Sequence, residues 1–269
     1  MKPSLITLLT DFGTQDYFVG AMKGAILSIN PAAQIIDITH DISPQDIHAG
    51  AFNFVSIYKD FPPGTIHLGV VDPGVGSNRY ALLIECAQQY FIGPDNGLFS
   101  WICEREGKFV ARQLTNEQFF RQPVSATFHG RDVFAPVAAA LSNGVNPEEF
   151  GPLIEDIVLL ESLEPKTTAK GIEARIIHID RFGNCITNLR REHFGDEEVS
   201  AGMSLSVNEE RVTSFRKFFS QTTAHGGDEL FMIVGSAGFV EIAARNASAA
   251  SILKARRGQP IILSTENNG

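Results

Sequence analysis

Apolar positions along the first part of the chain alternate between short unbroken runs and helical spacing. Leu5 to Leu9 is an apolar run that predicts a buried strand, and Phe18, Met22, Ala25, Ile26 and Ile29 recur on one helix face, predicting a helix over Tyr17 to Ser28 that Asn30 and Pro31 end. Ile35 to Ile38 predicts a second strand, Asp46 to Tyr58 a second helix, and Thr65 to Val71 a third strand that runs into the turn residues Asp72, Pro73 and Gly74. Tyr80 to Glu85 and Tyr90 to Gly93 read as further strands, and Val133 to Leu141 as a helix opened by Asp132 and carrying Pro136. Such alternation predicts an α/β domain with a mainly parallel sheet covered by helices.

The pattern changes between Pro147 and Gly171, where Pro152, Pro165, Thr167 and Thr168 punctuate a stretch without a long period. A boundary there predicts two domains, 1–160 and 171–269. Beyond it Ile172 to Ile179, Ser204 to Val207, Glu229 to Val234, Phe239 to Ala243 and Ile261 to Leu263 are short and separated by turn residues, which predicts a smaller all-β, barrel-like domain.

A chain of 269 residues that is 43% hydrophobic and 20% charged is an ordinary globular sequence. Its net charge of −9 repels phosphate backbones and anionic lipid, so neither nucleic acid nor a membrane is the expected partner. The apolar run at the start is too short for a leader or a membrane span. Cys86, Cys103 and Cys185 are widely spaced with no CxxC or Cys/His cluster, so no disulfide framework or metal site is expected and a reducing cytoplasm fits.

Polar residues at the ends of parallel strands face the crevice where α/β folds bind ligands. Thr10, Asp11, Phe12, Gly13 and then Asp16 form one such set, in which Asp11 either accepts hydrogen bonds from ribose hydroxyls or caps the following helix. Asp72, Pro73, Gly74, Val75, Gly76 with Arg79 form a second, either a ligand loop or an Asx turn beside a surface charge. His129, in Thr127, Phe128, His129, Gly130, Arg131, is a third candidate, although isolated histidines are more often structural. In the second half, Asp180, Arg181, Phe182, Gly183 and Asn184 put a carboxylate, a ring and an amide on one turn, fit for a purine or for an ordinary β turn. Gly235, Ser236, Ala237, Gly238 with Glu241 lacks the lysine of a phosphate loop, and no GxGxxG follows the first strand.

In order and spacing, LLTDFG, MKG, DPGVG, PDNGL, TFHGRDVFAP, IDRFGN and SAGFVEIA together resemble the S-adenosyl-L-methionine (SAM) hydroxide adenosyltransferases, hydrolytic relatives of the fluorinases and chlorinases. The resemblance implies an N-terminal α/β domain and a C-terminal β-barrel, assembled as a trimer with active sites between subunits. It implies SAM as substrate, no cofactor and no metal. It gives Asp72, Arg79 and His129 the positioning and activation of water, and Asp11 the ribose hydroxyls. Phe182, Asn184 and the backbone near Ala244 would hold adenine, with Asp16, Asp180, Ser236 and Glu241 around the ligand. After Glu241 the family's asparagine and glycine pattern reads Ala244, Arg245, Asn246, Ala247, so the adenine contacts shift there.

Attack at C5′ in line with a sulfonium cancels charge in the transition state, so a dry pocket helps, and the 20 phenylalanines can wall one. A halide-dependent, chlorinase-like enzyme is one alternative, against which the Asp, Arg, His set argues. A non-catalytic adenosine- or SAM-binding protein is the second, and a flavin or nicotinamide oxidoreductase, disfavoured by the missing GxGxxG, the third.

Overall fold

Strand β1 (Leu5–Thr10) is buried along almost its whole length, as expected of a central strand covered on both faces. In the computed structural model, which describes residues 5–196, 199, 202–221 and 230–264, the chain divides into two compact units, Met1–Ser162 and Leu163–Gly269. The first unit holds a seven-stranded sheet of order β2-β1-β3-β5-β4-β6-β7, formed by β1, β2 (Gln34–Thr39), β3 (Ile66–Val70), β4 (Ala81–Cys86), β5 (Gln89–Pro94), β6 (Phe109–Gln113) and β7 (Leu153–Ile154).

The expectation of a mainly parallel sheet holds for only half of it. Pairs β1–β2, β1–β3 and β3–β5 are parallel, whereas β4–β5, β4–β6 and β6–β7 are antiparallel. The cause is the link between β4 and β5, just Ala87 and Gln88, both left-handed at φ 53° and 60°. A two-residue turn of that hand closes a hairpin and leaves no room for a crossover.

Helix α1 (Phe18–Ile29) buries Val19, Met22, Ala25 and Ile26 along one stripe, and α2 (Ile47–Ile57) starts at Asp46, whose side chain accepts from the Ala49 N–H. A third helix, α3 (Ser100–Glu106), was not foreseen in the pattern. The last helix of this unit, α4 (Ala135–Ser142), is buried on every side, which explains its almost wholly apolar sequence. Asp132 does not open it as expected. A π-helical turn, Gly130–Phe134, precedes α4, and within it Asp132 is fully buried, paired with Arg131 and accepting from the Ser125 N–H. The core joins Ile6, Leu8, Met22, Leu68, Phe134 and Val137.

The second unit is a nine-stranded sheet of β8 (Lys166–Thr168), β9 (Gly171–Ile179), β10 (Cys185–Arg190), β11 (Ser204–Val207), β12 (Glu210–Val212), β13 (Phe215–Arg216), β14 (Leu230–Val234), β15 (Phe239–Ala244) and β16 (Pro260–Ser264). Glu229, expected to begin a strand, lies outside the described residues. The order β12-β11-β16-β9-β10-β15-β14-β13 ends on two strands that follow one another in the chain. The sheet therefore curls until its ends approach, a half-barrel rather than one closed by hydrogen bonds among the described residues. Strand β9 serves both halves, pairing β16 through Ile172 to Arg175 and β10 through Ile176 to Ile179. No helix among the described residues is long and apolar enough to cross a membrane.

Candidate active site

Asp72 lies just past the C-terminal end of β3, and the loop Asp72 to Arg79 folds back so that the two side chains meet. Arg79 Nε donates to Asp72 Oδ1 at 2.9 Å and to Oδ2 at 3.1 Å, and its Nη2 donates to Oδ2 as well. Both side chains are largely buried, at 10% and 4% exposure, so this is a desolvated pair and not the surface charge of the simpler reading. Gly76 makes the loop possible: its φ is 78°, and a Cβ there would stand 2.3 Å from the Ala126 carbonyl oxygen. That contact ties the loop to the segment leading into His129.

His129 sits at the mouth of the π-helical turn, a feature often found where a helix presents a functional group. Arg79 Nη2 reaches His129 Nδ1 at 3.0 Å. A guanidinium only donates, so Nδ1 accepts and the ring is neutral with its proton on Nε2. Burial, then the charge of Arg79, pull the His129 pKa below the usual 6.5 against the opposing charges of Asp72 and Asp132. The guanidinium also lies 5.3 Å from the Phe134 ring centre. A cavity of about 320 Å³ borders Arg79 and His129, with Tyr80, Gln113, Glu117 and Val133 among its walls.

Asp11 directly follows β1 and does not cap α1, whose N-cap is Tyr17. Its Oδ2 accepts from the Gln45 N–H at 2.7 Å. Burial raises its pKa, backbone hydrogen bonds from Gln45 and its own residue lower it, and the nearby Asp72 charge raises it further. Asp11, Asp72, Arg79 and His129 thus form one cluster in the first unit. Asp16 is exposed and makes no hydrogen bond or ion pair among the described residues.

In the second unit, Asp180 holds its turn. Oδ1 accepts from the Phe182 and Asn184 N–H groups at 2.9 and 2.8 Å, and Oδ2 from Asn184 Nδ2 at 2.8 Å. Asn184 is buried, while Phe182 stands 79% exposed. The Glu241 side chain, on β15, makes no hydrogen bond among the described residues, and burial, aided by the Asp180 charge, pushes its carboxyl up to about 6. Its Oε1 lies 1.8 Å from where a Cβ on Gly235 would stand, so a side chain there would displace the Glu241 carboxyl. Ser236 is exposed on the same turn, and Ala244 ends β15, bridged to Ala247.

Two family models cover nearly all of the chain. The SAM hydroxide adenosyltransferase N-terminal domain matches residues 6–151 and the corresponding C-terminal domain matches 174–262. The chain belongs to the SAM hydroxide adenosyltransferase family. Among its relatives in that family, the (R)-S-adenosyl-L-methionine hydrolase of Methanocaldococcus jannaschii is 37% identical over 88% of this chain and 87% of its own. A solved structure described as an uncharacterized conserved protein from Thermotoga maritima superposes with a TM-score of 0.88 at 33% identity, covering 96% of this chain and 99% of that one. The fluorinase of an Actinoplanes species is more distant, at 28% identity over 91% of both chains.

Sequence reasoning missed Asp37, His40 and Gln45, which surround the Asp11 loop. The one available signal was a histidine just beyond a strand, and spacing could not pair it with Thr10.

Proposed function

We propose that this protein hydrolyses S-adenosyl-L-methionine to adenosine and L-methionine by attack of water at ribose C5′, in line with the sulfonium. The observation that carries the reading is the buried Asp72, Arg79, His129 set, hydrogen-bonded in series in a cluster that includes Asp11. The name of the M. jannaschii relative supports it.

In this account the water oxygen bonds to C5′ as the C5′–S bond breaks, and the bonding pair returns to sulfur to leave a neutral thioether. One water proton passes to Asp72 and then to solvent. His129 is not the base: Arg79 occupies its Nδ1, so its Nε2–H donates and orients. Arg79 takes most but not all of the acceptor capacity of Asp72, whose two oxygens have about four lone-pair sites. Alignment of the nucleophile then contributes more than basicity.

Asp11 takes the ribose hydroxyls, Phe182 stacks on adenine, and Asn184 and the backbone near Ala244 bind its edge. Asp16, Asp180, Ser236 and Glu241 lie around the methionine and ribose parts. The 1–160 domain activates water and holds the nucleoside; the barrel-like 171–269 domain binds adenine and methionine. We read the protein as a metal-independent cytoplasmic homotrimer with active sites between subunits.

Product analysis after incubation with SAM, with and without chloride or fluoride, tests the function. Adenosine and methionine in equal amounts, unaffected by halide or EDTA, are expected. A 5′-halo nucleoside would establish the halide reading, and tight binding without turnover the non-catalytic one.

A further inference from the structure

We propose that His40 is a positioning residue for ribose recognition, holding the Asp11 loop in place through Thr10. The inference rests on the proposed role of Asp11 and deepens it.

Three contacts from one loop bracket Asp11. The His40 imidazole Nδ1 lies 2.8 Å from Thr10 Oγ1, the His40 carbonyl accepts from the Gly13 N–H at 2.8 Å, and the Gln45 N–H donates to Asp11 itself at 2.7 Å. Gln45 reaches that position at φ 66°, a conformation a non-glycine residue adopts only when its surroundings enforce it. Residues before, at and after Asp11 are therefore fixed by the segment that follows β2.

The His40 side chain is itself held. Only 4% of it is exposed, and its Nε2 stands 3.1 Å from Asp37 Oδ1, outside good hydrogen-bond geometry. Asp37 Oδ2 in turn receives Lys23 Nζ of α1 at 2.6 Å. Burial pushes the Asp37 carboxyl up, but Lys23 and His40 outweigh it and hold it below its ordinary value, so it is an anion at neutral pH. An acceptor beside Nε2 puts the neutral ring's proton there and leaves Nδ1 to accept from the Thr10 hydroxyl. Thr10 Oγ1 then remains free to accept from the Phe12 N–H at 3.3 Å, which closes the turn around Asp11. The register of β1 against β2 slips between Leu8 and Leu9, opposite Asp37 and Thr39, and bulges of this kind re-aim residues beside functional sites.

A residue that merely stabilises the unit would change how much protein is folded, without changing the ratio of affinities for two ligands. The test is therefore calorimetric binding of adenosine and of 2′,3′-dideoxyadenosine to the full-length protein and its His40→Ala, His40→Asn, Thr10→Val and Asp11→Asn variants. The preference for adenosine is expected to fall about tenfold in His40→Ala and Thr10→Val, the scale of weakening one hydrogen bond to a charged group. It should return in His40→Asn, whose amide can meet the Thr10 hydroxyl. A preference unchanged in His40→Ala, or in Thr10→Val should the alanine variant not fold, overturns the proposal while leaving Asp11 in its role. A preference unchanged in Asp11→Asn removes the ribose role of Asp11 and the proposal with it.

Discussion

Replacing Arg79 by methionine keeps an unbranched aliphatic stem but removes every N–H that Asp72 and His129 receive from it. Three of those contacts fall on Asp72, a carboxylate side chain only 4% exposed, and one on His129 Nδ1. Stranding one member of a buried pair costs about 3–5 kcal/mol. For a protein of this size each kcal/mol lowers the melting temperature by about 2–4 °C, so a fall of roughly 10 °C is expected. In activity the nucleophile loses the frame that aligns it, and misplacement by about 1 Å is enough for a loss of the order of 100-fold in kcat. Adenosine should bind within about threefold of wild type, because uniform binding is untouched when a group acts only on the nucleophile. Calorimetric melting, adenosine titration and steady-state kinetics with SAM give the three quantities. Adenosine affinity falling in step with kcat would refute the assignment of Arg79 to the nucleophile.

Gly76→Ala should abolish turnover as fully as a substitution within the triad, since the added Cβ meets a backbone carbonyl of the segment before His129; near-normal kcat in that variant would separate the two loops functionally. His129 has a lowered pKa in the folded state, so below about 6.5 the unfolded chain binds the extra proton first. Stability should therefore decline as pH falls through that value, and His129→Gln should flatten the decline in pH-dependent melting. Glu241 shows the opposite sign: its carboxyl titrates near 6 when folded against 4.5 as the reference, so ionising it costs stability as pH rises through that window. Glu241→Gln should melt higher than wild type at pH 7.5 and equally at pH 4, and equal melting at both would contradict the burial argument. Phe182→Ala should weaken adenosine binding by about 1–3 kcal/mol, the scale of a base stacked on a ring, with no change in melting because Phe182 is 79% exposed.

The loops that carry the site were legible because Asp11, Asp72 and Asp180 each follow an apolar run and precede a glycine. The seven-residue spacing of Asp72 and Arg79 allowed contact through a tight turn. Nothing in spacing could bring His129 to Arg79, since that contact depends on the π-helical turn and on Gly76 packing against Ala126. The antiparallel half of the first sheet was hidden because its hairpin uses Ala87 and Gln88 at positive φ, where asparagine and glycine would have announced it. Strand β10 was hidden by buried polar residues in its middle: Thr187 Oγ1 donates to the Val240 carbonyl and Asn188 Nδ2 to that of Leu163. Their partners are remote in sequence, so spacing does not mark them as buried. The contact of His40 with Thr10 was hidden for the same reason, spanning thirty residues through the register of two parallel strands.

The central claim is that water attacks C5′ of S-adenosyl-L-methionine, and incubation in H₂¹⁸O followed by mass analysis of the nucleoside tests it directly. Adenosine carrying one ¹⁸O at C5′, beside unlabelled methionine, is the expected result. Unlabelled adenosine, a halogenated nucleoside or intact substrate would contradict it.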